Sequence, residues 1–213
     1  DPYIYREKVT PENKKVYKEK LARSVYHAFP HFFGLNRAKE SVSRKLDAKS
    51  DLYIYFYFHG LSLLNPKGSF CFITSNSWLD VGYGKDLQEF LLKHCHVKMV
   101  IDNQVKRSFA SADVNTIIAL FSAPDDRRLW AVDKTARFVM FKVPFEHILS
   151  PVIFEEIEEI GERTQTNEYR LSPMKQEELL RDGSEQEEDS SAFYVQGSGL
   201  SEDNMEGLIK DKK

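Results

Sequence analysis

Hydrophobic positions recur at helical spacing over Pro11–Ala28, where Val16, Tyr17, Leu21, Val25 and Ala28 mark one face. Pro11 suits the first turn of such a helix and Thr10 can cap it. Residues 51–64 carry two patterns at once. Tyr53, Tyr55 and Tyr57 alternate with Ile54, Phe56 and Phe58 as in a strand, but the length and the tail of Leu61, Leu63 and Leu64 select a helix that is apolar all round and therefore covered. A turn at Asn65-Pro66-Lys67-Gly68 leads into residues 69–74, a continuous apolar run of the central-strand kind. Lys85–His94 predicts a helix with Leu87, Phe90 and Leu91 inward, and residues 97–102 and 115–122 predict two more strands. Residues 128–133 and 136–143 form a hairpin about Asp133-Lys134-Thr135 in this reading, followed by a helix over 145–161. Short strands rich in β-branched residues and separated by helices or long loops predict an α/β layered sheet.

Composition narrows the class. The 213 residues are 41% hydrophobic and 30% charged, which describes an ordinary soluble domain with surplus polar chain. The longest apolar run, 52–64, is broken by His59, Gly60 and Ser62 and falls short of the roughly 18 residues a membrane span needs, so no membrane is expected. The first residues lack an apolar stretch behind a basic start, so no signal peptide is expected either. Cys71 and Cys95 are too few for a disulfide framework and fit a reducing cytoplasm.

Charge is graded along the chain. Residues 1–50 carry 12 Lys and Arg against 6 Asp and Glu, a balance of +6, whereas residues 151–213 carry 7 against 17, a balance of −10. The first block suits a polyanion and the last does not. Residues 183–191, with Glu185, Glu187, Glu188 and Asp189 among serines, read as a mobile loop or linker.

Several chemistries find no support. A Gly-x-Gly-x-x-Gly loop is absent, and the pair Gly82 and Gly84 lacks dinucleotide-loop spacing. The six histidines show no metal spacing backed by carboxylates, and no Gly-x-Ser-x-Gly elbow occurs.

A distributed pattern carries more. Pro2-Tyr3-Ile4 is followed by Asp51-Leu52-Tyr53-Ile54-Tyr55-Phe56, then by the stretch from Leu64 to Leu79 that includes Phe72-Ile73-Thr74-Ser75-Asn76-Ser77-Trp78, then by Phe109 to Phe121. In that order the four pieces resemble the adenine-specific (N6) DNA methyltransferases of restriction-modification systems, in the class whose cofactor motifs precede a target-recognition domain. The resemblance covers about residues 1–180. It implies transfer of a methyl group from S-adenosylmethionine to the exocyclic amine of an adenine in double-stranded DNA, the base being flipped out of the duplex.

Position by position, the resemblance gives Tyr3 the role of stacking on the flipped adenine and Pro2 that of shaping the catalytic turn. Asp1 either replaces the first proline of that turn or is its acidic member with one proline missing, so the turn is incomplete or altered. Phe109 matches a second aromatic on the extruded base, and Lys106 and Arg107 are placed to meet phosphates nearby. Phe56 matches an aromatic that packs on the adenine of the cofactor.

The implied fold is a partial doubly wound S-adenosylmethionine-dependent methyltransferase fold, its last three strands at 69–74, 97–102 and 115–122 flanked by helices and followed by an irregular C-terminal extension. Residues 1–145 read as the C-terminal half of the catalytic domain, 146–183 as a helix and connector, and 184–213 as an acidic segment leading to a truncated recognition domain. The glycine-rich cofactor loop and the ribose-binding acid would precede Asp1, which leads us to expect an inactive fragment. A half sheet with an open edge also invites self-association or a companion chain. The competing reading is a non-catalytic or degenerate DNA-binding module of a modification system, drawing its affinity from the basic segment Arg6 to Lys20.

Overall fold

Helix α1 (Pro11–Ala28) forms over the residues that the apolar spacing marks out. The computed structural model describes residues 11–80, 82–103, 115–125, 130–148 and 150–189, which fall into two compact units within residues 1–63 and 64–213.

In the first unit α1 is followed by a single helical turn, α2 (Pro30–Phe33), a short hairpin of β1 (Leu35–Asn36) and β2 (Ser41–Val42), and helix α3 (Leu52–Ser62). Helix, not strand, wins at 52–62, burying Ile54, Tyr55, Tyr57, Phe58 and Leu61. The unit is built on aromatic contact. Phe33 is fully buried, with ring centroids 4.9 Å from Tyr26, 4.9 Å from Phe32 and 5.4 Å from Phe58. Tilted and edge-on pairs of this kind add to the area they bury. Side chains then tie the long loop before α3 to α1: the Tyr26 hydroxyl accepts from Leu46 N at 3.0 Å, and Lys18 Nζ donates to the carbonyls of Ala48 and Ser50.

The second unit is a six-stranded mixed sheet. It contains β3 (Ser69–Ser75), helix α4 (Lys85–His94), β4 (Val97–Asn103), β5 (Thr116–Ser122), β6 (Thr135–Phe141), helix α5 (Pro151–Glu159), β7 (Thr164–Gln165), β8 (Tyr169–Lys175) and helix α6 (Gln176–Asp189). The spatial order is β3-β5-β4-β6-β8-β7. The three strands expected from the apolar runs lie side by side, β5 antiparallel to both β3 and β4, and β4 pairs in parallel with β6.

One face buries Met99, Ile101, Val139, Phe141, Leu171 and Tyr169 against Ile148 and Ile157. Tyr169 completes this packing by donating to Glu156 Oε1 at 2.9 Å, and burial and that partner push its phenol up to about 12. The other face carries Val100, Ala119, Phe138 and Met140, all buried.

The structure corrects the expectation in four places. Residues 130–134 are a turn, not a strand, and 135–141 pairs with β4 and β8 instead of folding back on 128–133. The helix expected over 145–161 is a 3-10 turn at Phe145–His147 followed by α5, because Pro151 has no N–H for a continuing helix and occupies the first helical turn instead. The stretch read as a connector near 169–183 is regular structure, β8 paired between β6 and β7 and then α6. Finally, α6 runs through Asp189, so the first part of the acidic block is helical.

Candidate active site

Strands β3, β4 and β6 point the same way, so their carboxyl ends, Ser75, Asn103 and Phe141, share one end of the sheet, the end at which open α/β sheets take ligands. Polar side chains gather there. Ser75 and Thr116 are register partners, and the next residue after β3, Asn76, donates its N–H to the carbonyl of Asn115 at 3.1 Å. Ser75 caps the 3-10 turn Asn76–Leu79, its Oγ accepting from Ser77 N at 3.2 Å and lying 2.7 Å from Ser77 Oγ.

That turn is held from below. Buried Gln88 on α4 donates to the carbonyls of Trp78 at 2.7 Å and Leu79 at 3.1 Å. Gly84 sits so close that a Cβ there would lie 1.9 Å from the Trp78 carbonyl oxygen, so only glycine permits the approach.

Asp102 stands beside this rim at the end of β4, on the face shared with Met140 and, one strand further, Arg170. Arg170 is 4% exposed, and the two charged residues flank Met140 two strands apart, about 10 Å between backbones. Burial pushes the Asp102 carboxyl above its ordinary range, opposed by the hydrogen bond it accepts from Asn103 N at 2.7 Å. Asn103 in turn donates its amide to the Val143 carbonyl, joining the ends of β4 and β6. Asp102 did not stand out in the sequence, because a strand-end carboxylate becomes unusual only once the neighbouring strands bury it, whereas the serine turn lies in one of the stretches that carry the resemblance.

Of the residues singled out by sequence, Asp1, Pro2, Tyr3, Lys106, Arg107 and Phe109 lie outside the described residues. The segment holding the last three leaves the sheet at Asn103 and rejoins it at Thr116, so both of its anchor points are at the polar rim. Phe56, in the first unit, is on α3 and is 46% exposed while its neighbours Tyr55 and Tyr57 are buried. No group of three or more His, Cys, Asp or Glu suited to a metal ion occurs among the described residues, and none of the described helices is long and apolar enough to cross a membrane.

Comparison with solved structures shows the same fold in the type IIG restriction endonuclease BpuSI, at 15% identity and a TM-score of 0.56, covering 77% of this chain and 18% of that one. The M protein of the type I restriction enzyme EcoKI aligns at 16% identity and a TM-score of 0.42, over 75% of this chain and 42% of that one. This chain therefore spans less than half the length of either. No curated protein matches it. The family model described as Eco57I restriction-modification methylase matches residues 2–109, more than half of the chain. By that match, on a sheet of the corresponding fold, this chain belongs to the Eco57I restriction-modification methylase family.

Proposed function

We propose that this chain is part of an S-adenosylmethionine-dependent DNA methyltransferase that acts on the exocyclic N6 amine of adenine. The observation that carries the reading is the extent of the family match, residues 2–109, which opens on Pro2 and Tyr3 and closes on Phe109. The two aromatic positions assigned to gripping an extruded base thus bracket the matched segment.

The chemistry asks for placement more than for acid or base strength. An adenine amine shares its lone pair with the ring and is a poor nucleophile until hydrogen-bond acceptors draw its hydrogens out of the ring plane. In this reading Asp1 accepts from the amine, Pro2 fixes the turn, and Tyr3 and Phe109 hold the base by its faces once it has left the duplex. Lys106 and Arg107 meet the phosphates beside it. Bound S-adenosylmethionine supplies an electrophilic methyl carbon. Phe56, a partly exposed aromatic, is suited to stack on the adenine of that cofactor.

The test is methyl transfer by the full-length protein to a duplex, with the modified base identified by mass spectrometry. N6-methyladenine is the expected product, and a methylated cytosine or unmodified DNA would overturn the reading. Tyr3→Ala should lower turnover by about tenfold to a hundredfold, the 1–3 kcal/mol typical of a base stacked on an aromatic ring, while duplex affinity changes far less. Unchanged turnover would remove Tyr3 from the site.

A further inference from the structure

The first unit carries a feature that methyl transfer leaves unused. Its hairpin of β1 and β2 projects Arg37 and Lys39 in the connection between the strands, and Arg44, Lys45 and Lys49 follow within the next residues. Arg37, Lys39, Lys45 and Lys49 are all exposed.

The hairpin is held rigidly for so short an element. Asn36 Oδ1 accepts from the N–H groups of both Ala38 and Lys39 at 3.1 Å, closing the connection on itself. At its base, Ser43 N donates to the Gly34 carbonyl and Arg44 N to the Phe33 carbonyl. Gly34 has a φ of +60°, and a Cβ there would lie 1.8 Å from Ser43 Oγ, so the base is tightly closed. Phe33 is the fully buried centre of the aromatic cluster, and the Arg44 guanidinium lies 4.6 Å above the Phe32 ring. The arm thus stands on the best-packed part of its unit.

The segment carries two acids, Glu40 and Asp47, against five cations. Glu40 lies 3.9 Å from Arg23, and Asp47 Oδ1 accepts from Lys49 N at 2.7 Å. No acidic side chain among the described residues pairs with Arg37, Lys39 or Lys45. An exposed excess of cations on and beside a two-stranded ribbon, not paired with an acid among the described residues, is the electrostatic footprint of a polyanion site.

We propose that this arm, Arg37, Lys39 and Lys45 foremost, is a contact surface for the phosphate backbone of duplex DNA. The inference rests on the DNA reading above and deepens it by naming where the backbone is held. Such contacts position the duplex and carry no sequence information.

The test is fluorescence anisotropy of a short labelled duplex titrated with this chain across a range of salt. Arg37→Ala, Lys39→Ala and Lys45→Ala combined should weaken binding at low salt by at least about tenfold and reduce the slope of log K against log salt by about 2.7, or about 0.9 for each phosphate no longer neutralised. The exposed Lys67→Ala should behave as the parent does, and an unchanged circular dichroism melt should show that the triple variant is folded. Parental affinity and slope in the triple variant would overturn the arm while leaving the methyltransferase reading to its own assay. Absence of duplex binding by the parent chain would overturn it too. Loss of binding to polyglutamate in place of duplex would reassign the surface to an acidic protein.

Discussion

The two units of this chain solve the same problem of order by different means. In the first, the buried centre is a set of aromatic rings around Phe33, and the backbone between α2 and α3 is held largely by side chains, Lys18 donating to it and Tyr26, Asn36 and Asp47 accepting from it. In the second, backbone pairing does most of the holding, with seven-residue ladders joining β3 to β5 and β6 to β8. Side chains there lock the ends: Gln88 pins the turn after β3, and fully buried Gln176 donates to the carbonyls of Leu92 and Cys95 and accepts from Val97 N. The lesson is one of tolerance. A ring cluster fails when one ring is removed, whereas a sheet fails when its termini are freed.

Phe33→Ala gives the largest expected break. Removing a fully buried ring should cost about 4 kcal/mol. Hydrogen exchange should then lose protection over residues 20–60 and keep it in β4 and β5, and equal loss in both units would end the distinction. Gln176→Leu should cost about 3 kcal/mol, because it strands buried backbone groups at the end of α4 and the start of β4. Its signature is the reverse, with protection lost around residues 91–98 and retained at Phe33.

The smallest effect sharpens the account of the polar rim. The folded chain holds the Asp102 proton above the unfolded pKa of about 3.9, so between the two values the folded state binds more protons and stability falls as pH rises through that window. Asp102→Asn removes the titration while keeping the acceptor for Asn103 N. The difference in melting temperature between about pH 4 and pH 7 should therefore be narrower in the variant, with the variant at least as stable at the higher pH. An identical pH profile would show that Asp102 is solvated.

Local signals reached a good part of this fold. The helices at Pro11–Ala28 and Lys85–His94 lie where apolar spacing places them, and three strands follow their apolar runs to within about one residue. The error at 128–143 has a different origin. Residues 136–141 do form a strand, but their partner is Tyr169–Lys175, some thirty positions onward, and pairing over such a distance leaves no local mark. A proline within an apolar-periodic stretch, Pro151, was a legible break that the spacing of Ile148, Val152 and Ile157 masked. The polar rim was legible only in part. Ser75 and Ser77 lie in a stretch that stands out by motif, whereas Asp102 acquires its setting from strand register, which is fixed by the sheet as a whole.

Gln176 also sets a clock for synthesis. Its amide serves groups on Leu92, Cys95 and Val97 that leave the ribosome some eighty residues earlier, and β8 closes on β6 only just before it. The central strand therefore emerges with part of its hydrogen-bonding capacity waiting on chain still to be translated. Domains whose pairing is this non-local fold slowly and pass through species with bare strand edges. While the nascent chain is short of that residue, the first unit can already settle around its rings, and the half-assembled sheet is the stage at which a chaperone has most to protect.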